Sequence, residues 1–243
     1  MSLFLSCGEA SGDHYAGCLI KALDGRLGRC WGMLGPEGTT SGGHEVWSYS
    51  ELQVMGISEG LKSLLRLSRL KDRMANSVLK EMPDCVVVID SPDYHIPLIK
   101  AIRRKGYRNP IFYVSPPTAW AWRAKRADVI RDLEVTCFPL FEFEHRFYTD
   151  KGVESRWMGH PLLDDLCDYA PDEDVMNAYS GKRIVALLPG SRSTEVRRLA
   201  PVLREVGVEL KRMGYNPVVS VAKSLPSVDR QALKRMDSGL SFF

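Results

Sequence analysis

An α/β fold is what this sequence predicts: two doubly wound parallel sheets with helices on both faces, the second sheet incomplete. Three observations carry that reading. Short apolar, β-branched runs alternate with segments of helical period along nearly the whole chain. Runs such as Val86–Ile89 lack polar alternation, as strands covered on both faces do. The order strand, glycine-bearing turn, helix at the N-terminus restarts at Leu187–Glu195 after an acidic, proline-bearing stretch.

In chain order, Leu3–Cys7 reads as a strand, Tyr15–Leu23 as a helix and Cys30–Leu34 as a second strand. Ile57–Met82 has helical periodicity, Cys85–Asp90 is a buried strand, and Pro97–Lys105 is helical. Pro110–Ser115, Glu134–Pro139 and Glu154–Met158 read as strands, with helices over Ala119–Arg131 and Phe143–Lys151. Residues 1–160 form the first domain of this scheme and 161–174 a linker. The partial second domain, 175–243, holds strand Arg183–Leu188, helix Thr194–Met213, strand Pro217–Ala222, helix Val228–Met236 and the opening of another strand at the end. A unit of that size falls below the ~100–150 residues of the commonest domains, so the second domain reads as cut short.

Hydrophobic residues at 44% and charged residues at 26% are ordinary for a globular protein, and a net charge of +3 is too small to argue for nucleic acid. Six cysteines without C-x-x-C spacing fall mostly inside apolar runs, as expected of buried thiols in a reducing, cytoplasmic compartment. Five scattered histidines offer no i, i+4 pair, so no metal site is expected. Met1–Cys7 lacks a basic leader and reads as a first strand, not a signal peptide, and no run is long enough to span a membrane.

The pivotal stretch is Val86-Val-Val-Ile-Asp-Ser-Pro-Asp-Tyr94, a buried strand ending in two carboxylates. Ligands of open α/β sheets bind beyond the carboxyl ends of strands, where Asp90 would sit as a candidate general base. Alternatively Asp93 caps the next helix and Asp90 only closes a turn. Gly8-Glu-Ala-Ser-Gly-Asp13 follows the first strand. It suits either a polar ligand at a helix N-terminus or a tight turn capped by Ser11 or Asp13. Gly35-Pro-Glu-Gly38 is a weaker turn of the same kind.

On the helix from Ile57, Leu61, Leu64 and Leu65 share one side, and Lys62, Arg66, Arg69 and Arg73 form a basic stripe. Such a helix suits an anionic bilayer or a sheet with its arginines solvated. Tyr113-Val-Ser-Pro-Pro-Thr-Ala-Trp-Ala-Trp-Arg-Ala-Lys-Arg126 places Trp120 and Trp122, which can stack on sugars or acyl chains, beside Arg123, Lys125 and Arg126, which can hold a phosphate. In Leu187-Leu-Pro-Gly-Ser-Arg-Ser-Thr-Glu195, the amides of Ser191–Thr194 with Arg192 would meet a diphosphate, or form a capped turn.

Taken together, G-E-A-S-G-D, V-M-G-I at Val54–Ile57, I-D-S-P-D-Y, Y-V-S-P-P-T-A-W-A-W-R, P-L-F-E at Pro139–Glu142, G-H-P-L at Gly159–Leu162 and L-P-G-S-R-S-T-E resemble, in order, the lipid-A-disaccharide synthase family. The resemblance implies a GT-B architecture of two Rossmann-like domains and an inverting glycosyltransferase without cofactor or metal. Its substrates would be UDP-2,3-diacylglucosamine and 2,3-diacylglucosamine 1-phosphate, joined at the acceptor 6-hydroxyl with release of UDP. It would work peripherally on the cytoplasmic face of the inner membrane, with no nucleic-acid partner, and either as a monomer or a homodimer.

Carried over by motif, Asp90 is the base, and Arg192 with the Gly190–Ser193 turn stabilises the leaving diphosphate. Gly8, Glu9, Ser11, Gly12, Asp13, Trp120, Trp122, Arg123 and Arg126 face the acceptor. The same blocks imply substrate contacts at Met55, Asp93, Ser115, His160, Gly190, Ser191, Ser193 and Glu195. Ile57, Leu61, Leu64, Leu65, Arg66 and Arg69 would form the membrane or acyl surface. The family's later donor-binding segment has no counterpart in these residues, which implies a C-terminally truncated chain. A UDP-sugar epimerase fits the tryptophan-rich and leucine-rich segments less well, and a non-catalytic remnant that binds lipid or sugar phosphate is the other alternative.

Overall fold

The computed structural model describes residues 1–53, 60–167, 169–222, 225–234 and 241–242. Met55 and Ile57 lie outside them, and so does the side chain of Leu61. The chain divides into two compact units, Met1–Cys167 and Asp168–Phe243.

The first unit runs β1 (Ser2–Cys7), α1 (Ala10–Ala22), β2 (Arg29–Leu34), α2 (Pro36–Thr40), β3 (His44–Ser48), α3 (Ser50–Gln53), α4 (Gly60–Glu81), β4 (Cys85–Ile89) and α5 (Pro92–Arg104). It continues with β5 (Ile111–Val114), α6 (Lys125–Asp132), β6 (Val135–Phe138), α7 (Glu142–Asp150) and α8 (Leu162–Cys167). All pairings in its sheet are parallel, in the order β3-β2-β1-β4-β5-β6. The direction of winding therefore reverses between β1 and β4. This is the switch point at whose carboxyl edge a doubly wound sheet opens a crevice.

Alternation along the strands sends side chains to two separate cores. Phe4, Val86 and Val88 pack with Leu70, Met74, Val78, Ile99 and Ile102 on one face, while Leu3, Leu5, Val87 and Ile89 pack with Ala16 and Ile20 on the other. Every residue of β4 is buried, as its unbroken apolar run requires. Each such side chain contributes roughly 1.5–3 kcal/mol of burial, which pins the strand that carries Asp90.

The second unit contains α9 (Glu173–Ala178), β7 (Ile184–Leu187), α10 (Ser193–Arg212), β8 (Asn216–Val219), α11 (Ser227–Lys234) and β9 (Ser241–Phe242), with a parallel sheet in the order β7-β8-β9. The strand expected at the end of the chain is present as β9.

Several expected elements change. Glu154–Met158 is not a strand: it makes one bridge, Cys137 to Ser155, before Trp157 and Met158 turn out to solvent. The helix expected over Ala119–Arg131 starts only at Lys125, because Pro116 and Pro117 and the left-handed Arg123 break the segment before it. In α5, Pro97 lies inside the helix, and Pro92 opens it at a position where a missing N–H costs nothing. The edge strand β3 is mostly exposed and polar, so it carries no apolar run to announce it.

Candidate functional site

The carboxyl ends of β1, β4 and β5 bring three of the singled-out motifs to one edge of the sheet. Asp90, Ser91, Ser115 and Arg123 all adopt left-handed backbones there, with φ of 56°, 46°, 50° and 56°. L-residues hold that conformation at a cost of order 1–3 kcal/mol each, and such residues concentrate at functional sites. The kink at Asp90 is held by its backbone. Its N–H donates to the Val114 carbonyl at 3.1 Å, and its carbonyl accepts the Tyr113 hydroxyl at 2.9 Å and Nδ1–H of His95 at 2.6 Å. On the far side of that ring, Nε2 accepts the Ser6 hydroxyl at 2.9 Å. His95 is fully buried, and burial lowers its pKa to about 4, so it is neutral with its proton on Nδ1. The side chain of Asp90 is left half-buried at the edge.

Gly8 makes this arrangement fit. A methyl group built on it would lie 1.7 Å from Ser91 Oγ, so only glycine lets the β1 loop lie against the β4 loop. Gly12 is buried against Cys7 and Ile89, Glu9 is half-buried, and the exposed Ser11 donates to Glu9 Oε1 at 2.6 Å. Asp13, expected on the acceptor side, is only 2% exposed. Its carboxylate accepts the N–H groups of Gly35, Glu37 and Gly38 at 2.7, 2.9 and 3.1 Å, so it caps α2 and not its own helix.

Beyond β5, Trp120 and Trp122 are exposed. Trp120 donates to Glu144 at 3.1 Å and starts a run of ring contacts through Phe143 and Phe141 to His160, with centroids 5.0, 5.6 and 5.7 Å apart. His160 also meets Tyr15 edge-on at 6.3 Å. The result is a partly exposed ledge of aromatic rings. Arg123 and Arg126 lie over the Trp122 ring at 4.3 and 5.7 Å and both donate to Asp93 Oδ1.

In the second unit, Gly190 has φ of 101°, and the space a side chain would need there is filled by Glu195. The Glu195 carboxylate accepts the N–H groups of Ser191 and Arg192 at 3.2 and 3.3 Å and the Arg192 guanidinium at 3.3 Å. Glu195 thus occupies amides that were expected to meet a diphosphate, in the manner of a capping box. Ser193 opens α10.

A family model for lipid-A-disaccharide synthetase matches residues 3–238. The chain belongs to that family. It is 35% identical over 199 residues to lipid-A-disaccharide synthase of Chlamydia pneumoniae, a match covering 80% of this chain and 33% of the relative. With the Alcanivorax borkumensis enzyme it shares 37% over 214 residues, covering 85% and 55%. For the Myxococcus xanthus enzyme the figures are 31% over 242 residues, 95% and 61%. The chain therefore spans from 33% to 61% of the length of these curated relatives.

Among solved structures, UDP-GlcNAc 2-epimerase from Neisseria meningitidis bound to UDP-GlcNAc is similar over 100% of this chain and 72% of its own, with a TM-score of 0.64 at 11% identity. A putative UDP-N-acetylglucosamine 2-epimerase from Listeria monocytogenes gives 0.65 at 11% identity, covering 100% and 68%. Likeness at that identity is one of fold, and the fold is the GT-B-like, Rossmann-type α/β architecture that the sequence predicts.

In this member of the lipid-A-disaccharide synthetase family, α4 divides its apolar residues between two environments. Leu70, Met74 and Val78 enter the core, whereas Leu64 and Leu65 are 63% and 53% exposed. Arg66 pairs with Glu51 at 3.7 Å, and Leu65, Arg66, Arg69 and Arg73 line an open hollow. No described helix is long and apolar enough to cross a membrane.

Sequence reasoning missed Ser6 and His95; Tyr113 and Phe141 lie within motifs it singled out, but it gave them no role. A histidine on the apolar side of α5, five positions after Asp90, was the one available signal.

Proposed function

We propose that this chain contributes the acceptor-side machinery, and a diphosphate-binding turn, of an inverting glycosyltransferase acting on acylated glucosamine. The donor is UDP-2,3-diacylglucosamine and the acceptor 2,3-diacylglucosamine 1-phosphate, met at the cytoplasmic face of the inner membrane. Membership of the family supports this reading. The observation that carries it is the half-buried carboxylate of Asp90, placed at the switch point by a strained kink whose carbonyl two buried donors hold.

Asp90 takes the proton of the acceptor 6-hydroxyl as that oxygen attacks the anomeric carbon. The bond to the diphosphate breaks with inversion, and UDP leaves with the electron pair. A carboxylate suffices because the hydroxyl becomes acidic only as the new bond forms. Arg192 and the amides of its turn offset the charge that develops on the departing diphosphate, once Glu195 yields them. Asp90→Asn in the chain should lower kcat by ~10²–10⁴ with little change in KM. Turnover at the parent rate would refute the assignment of the base.

The exposed Leu64 and Leu65, flanked by Arg66 and Arg69, form the surface that meets anionic lipid. The double change Leu64→Ser and Leu65→Ser should reduce co-sedimentation with phosphatidylglycerol vesicles. Unaltered sedimentation would remove the membrane role from α4.

A further inference from the structure

Between α5 and α6 lies an open groove of about 300 Å³, whose lining includes Lys100, Arg123, Lys125 and Arg126 and a single carboxylate, Asp93. Four cations face one anion, an excess of three positive charges. Asp93 engages both arginines through one oxygen, Oδ1, while its side chain remains 76% exposed. An ion pair that open to water holds weakly.

The arginines, by contrast, are built in. Arg126 is only 16% exposed; Arg123 is 53% exposed but held in a left-handed backbone, and the two Cζ atoms lie 4.3 Å (Arg123) and 5.7 Å (Arg126) from the centre of the Trp122 ring. Two preset guanidiniums with two further ammonium groups match the several oxygens and double charge of a phosphate better than one carboxylate oxygen does.

We propose that this groove is a phosphomonoester site in which Asp93 is a displaceable internal counter-ion and not a substrate ligand. Asp93 lies in the first turn of the helix that follows the Asp90 kink, so the groove adjoins the place where the acceptor hydroxyl is received. The inference deepens the functional reading above and rests on it only for the source of the phosphate, a sugar 1-phosphate. A phosphomonoester lipid headgroup has the same chemistry.

The test is direct binding, which does not depend on turnover. Glucosamine 1-phosphate is titrated into the chain by calorimetry and ³¹P line broadening, alongside sedimentation with phosphatidylcholine vesicles with and without phosphatidic acid. Removing an exposed counter-ion is worth about two- to fivefold, so Asp93→Asn should tighten binding by that factor. Lys100→Ala should weaken it by a similar factor. Tightening with the soluble probe identifies the sugar phosphate as the source, and tightening confined to phosphatidic acid vesicles identifies the headgroup. Weaker or unchanged binding in Asp93→Asn, indifference to Lys100→Ala, or no saturable binding of either probe would overturn the proposal. A transfer assay in which Asp90 proved dispensable would leave these binding results standing.

Discussion

Nδ1–H of His95 donates to the carbonyl of Asp90 over 2.6 Å, from a ring that no solvent reaches. The bond fixes the tautomer and holds a left-handed aspartate in place. It also links stability to pH. Burial lowers the His95 pKa from 6.5 to about 4, so between those values the unfolded chain binds a proton that the folded chain does not. Stability should be full above pH 6.5 and fall as pH drops toward 4, by up to about 3 kcal/mol. Urea denaturation at pH 7 and pH 5 measures the slope. In His95→Gln the slope should flatten, and stability at pH 7 should drop by about 1–3 kcal/mol as the Asp90 carbonyl loses one of its two donors and the buried ring its place.

The contact between Gly8 and Ser91 leaves no room for a side chain on residue 8 while the serine stands at 91. Gly8→Ala would put a methyl group 1.7 Å from Ser91 Oγ and 2.4 Å from its Cβ. A destabilisation of about 1–3 kcal/mol is expected, as for other overpacked sites. Ser91→Gly removes both clashing atoms at a left-handed position that glycine favours, so the double variant should recover most of the loss. Additive losses in that cycle would mean the two loops separate easily.

Asp13 joins the two glycine turns on the β1 side. Its replacement by alanine leaves three amide N–H groups of the α2 cap without their acceptor in an enclosed place. The expected cost is about 2–4 kcal/mol in denaturant unfolding. If Asp13→Ala unfolded like the parent, the carboxylate would not be the cap.

A second histidine works in the opposite direction. His14 on α1 places Nδ1 2.7 Å from Glu37 and Nε2 2.8 Å from Asp165 of α8. The hydrogen bond to Glu37, and then that to Asp165, raise its pKa despite some burial. Both ring nitrogens must donate, so the link needs the imidazolium. Its contribution is fully present below the ordinary histidine pKa and is lost as pH rises through the raised value. Hydrogen exchange of the α8 amides should accelerate between pH 6 and pH 9 beyond the intrinsic rate, and His14→Asn should abolish that excess. A constant protection factor in the parent would exclude the latch.

By itself the sequence determined the two parallel sheets, the enclosure of β4 and the loops that carry polar groups. Those follow from local rules, since apolar period and turn residues act over a few positions. It left β3 unseen, because a polar edge strand lacks such a pattern, and it took Glu154–Met158 for a strand because apolar residues alone do not show where pairing stops. Only the tertiary structure decided which groups meet at the mouth. The crossover that sets β4 beside β1 brings Ser91 onto Gly8 and His95 onto Ser6. Asp93 reaches Arg123 and Arg126 only because α5 and α6 come together, and Asp13 finds its amides only where β2 ends. A carboxylate accepts a proton, a cap or a guanidinium with equal chemical fitness, and its task is chosen by the donors that strand order places around it.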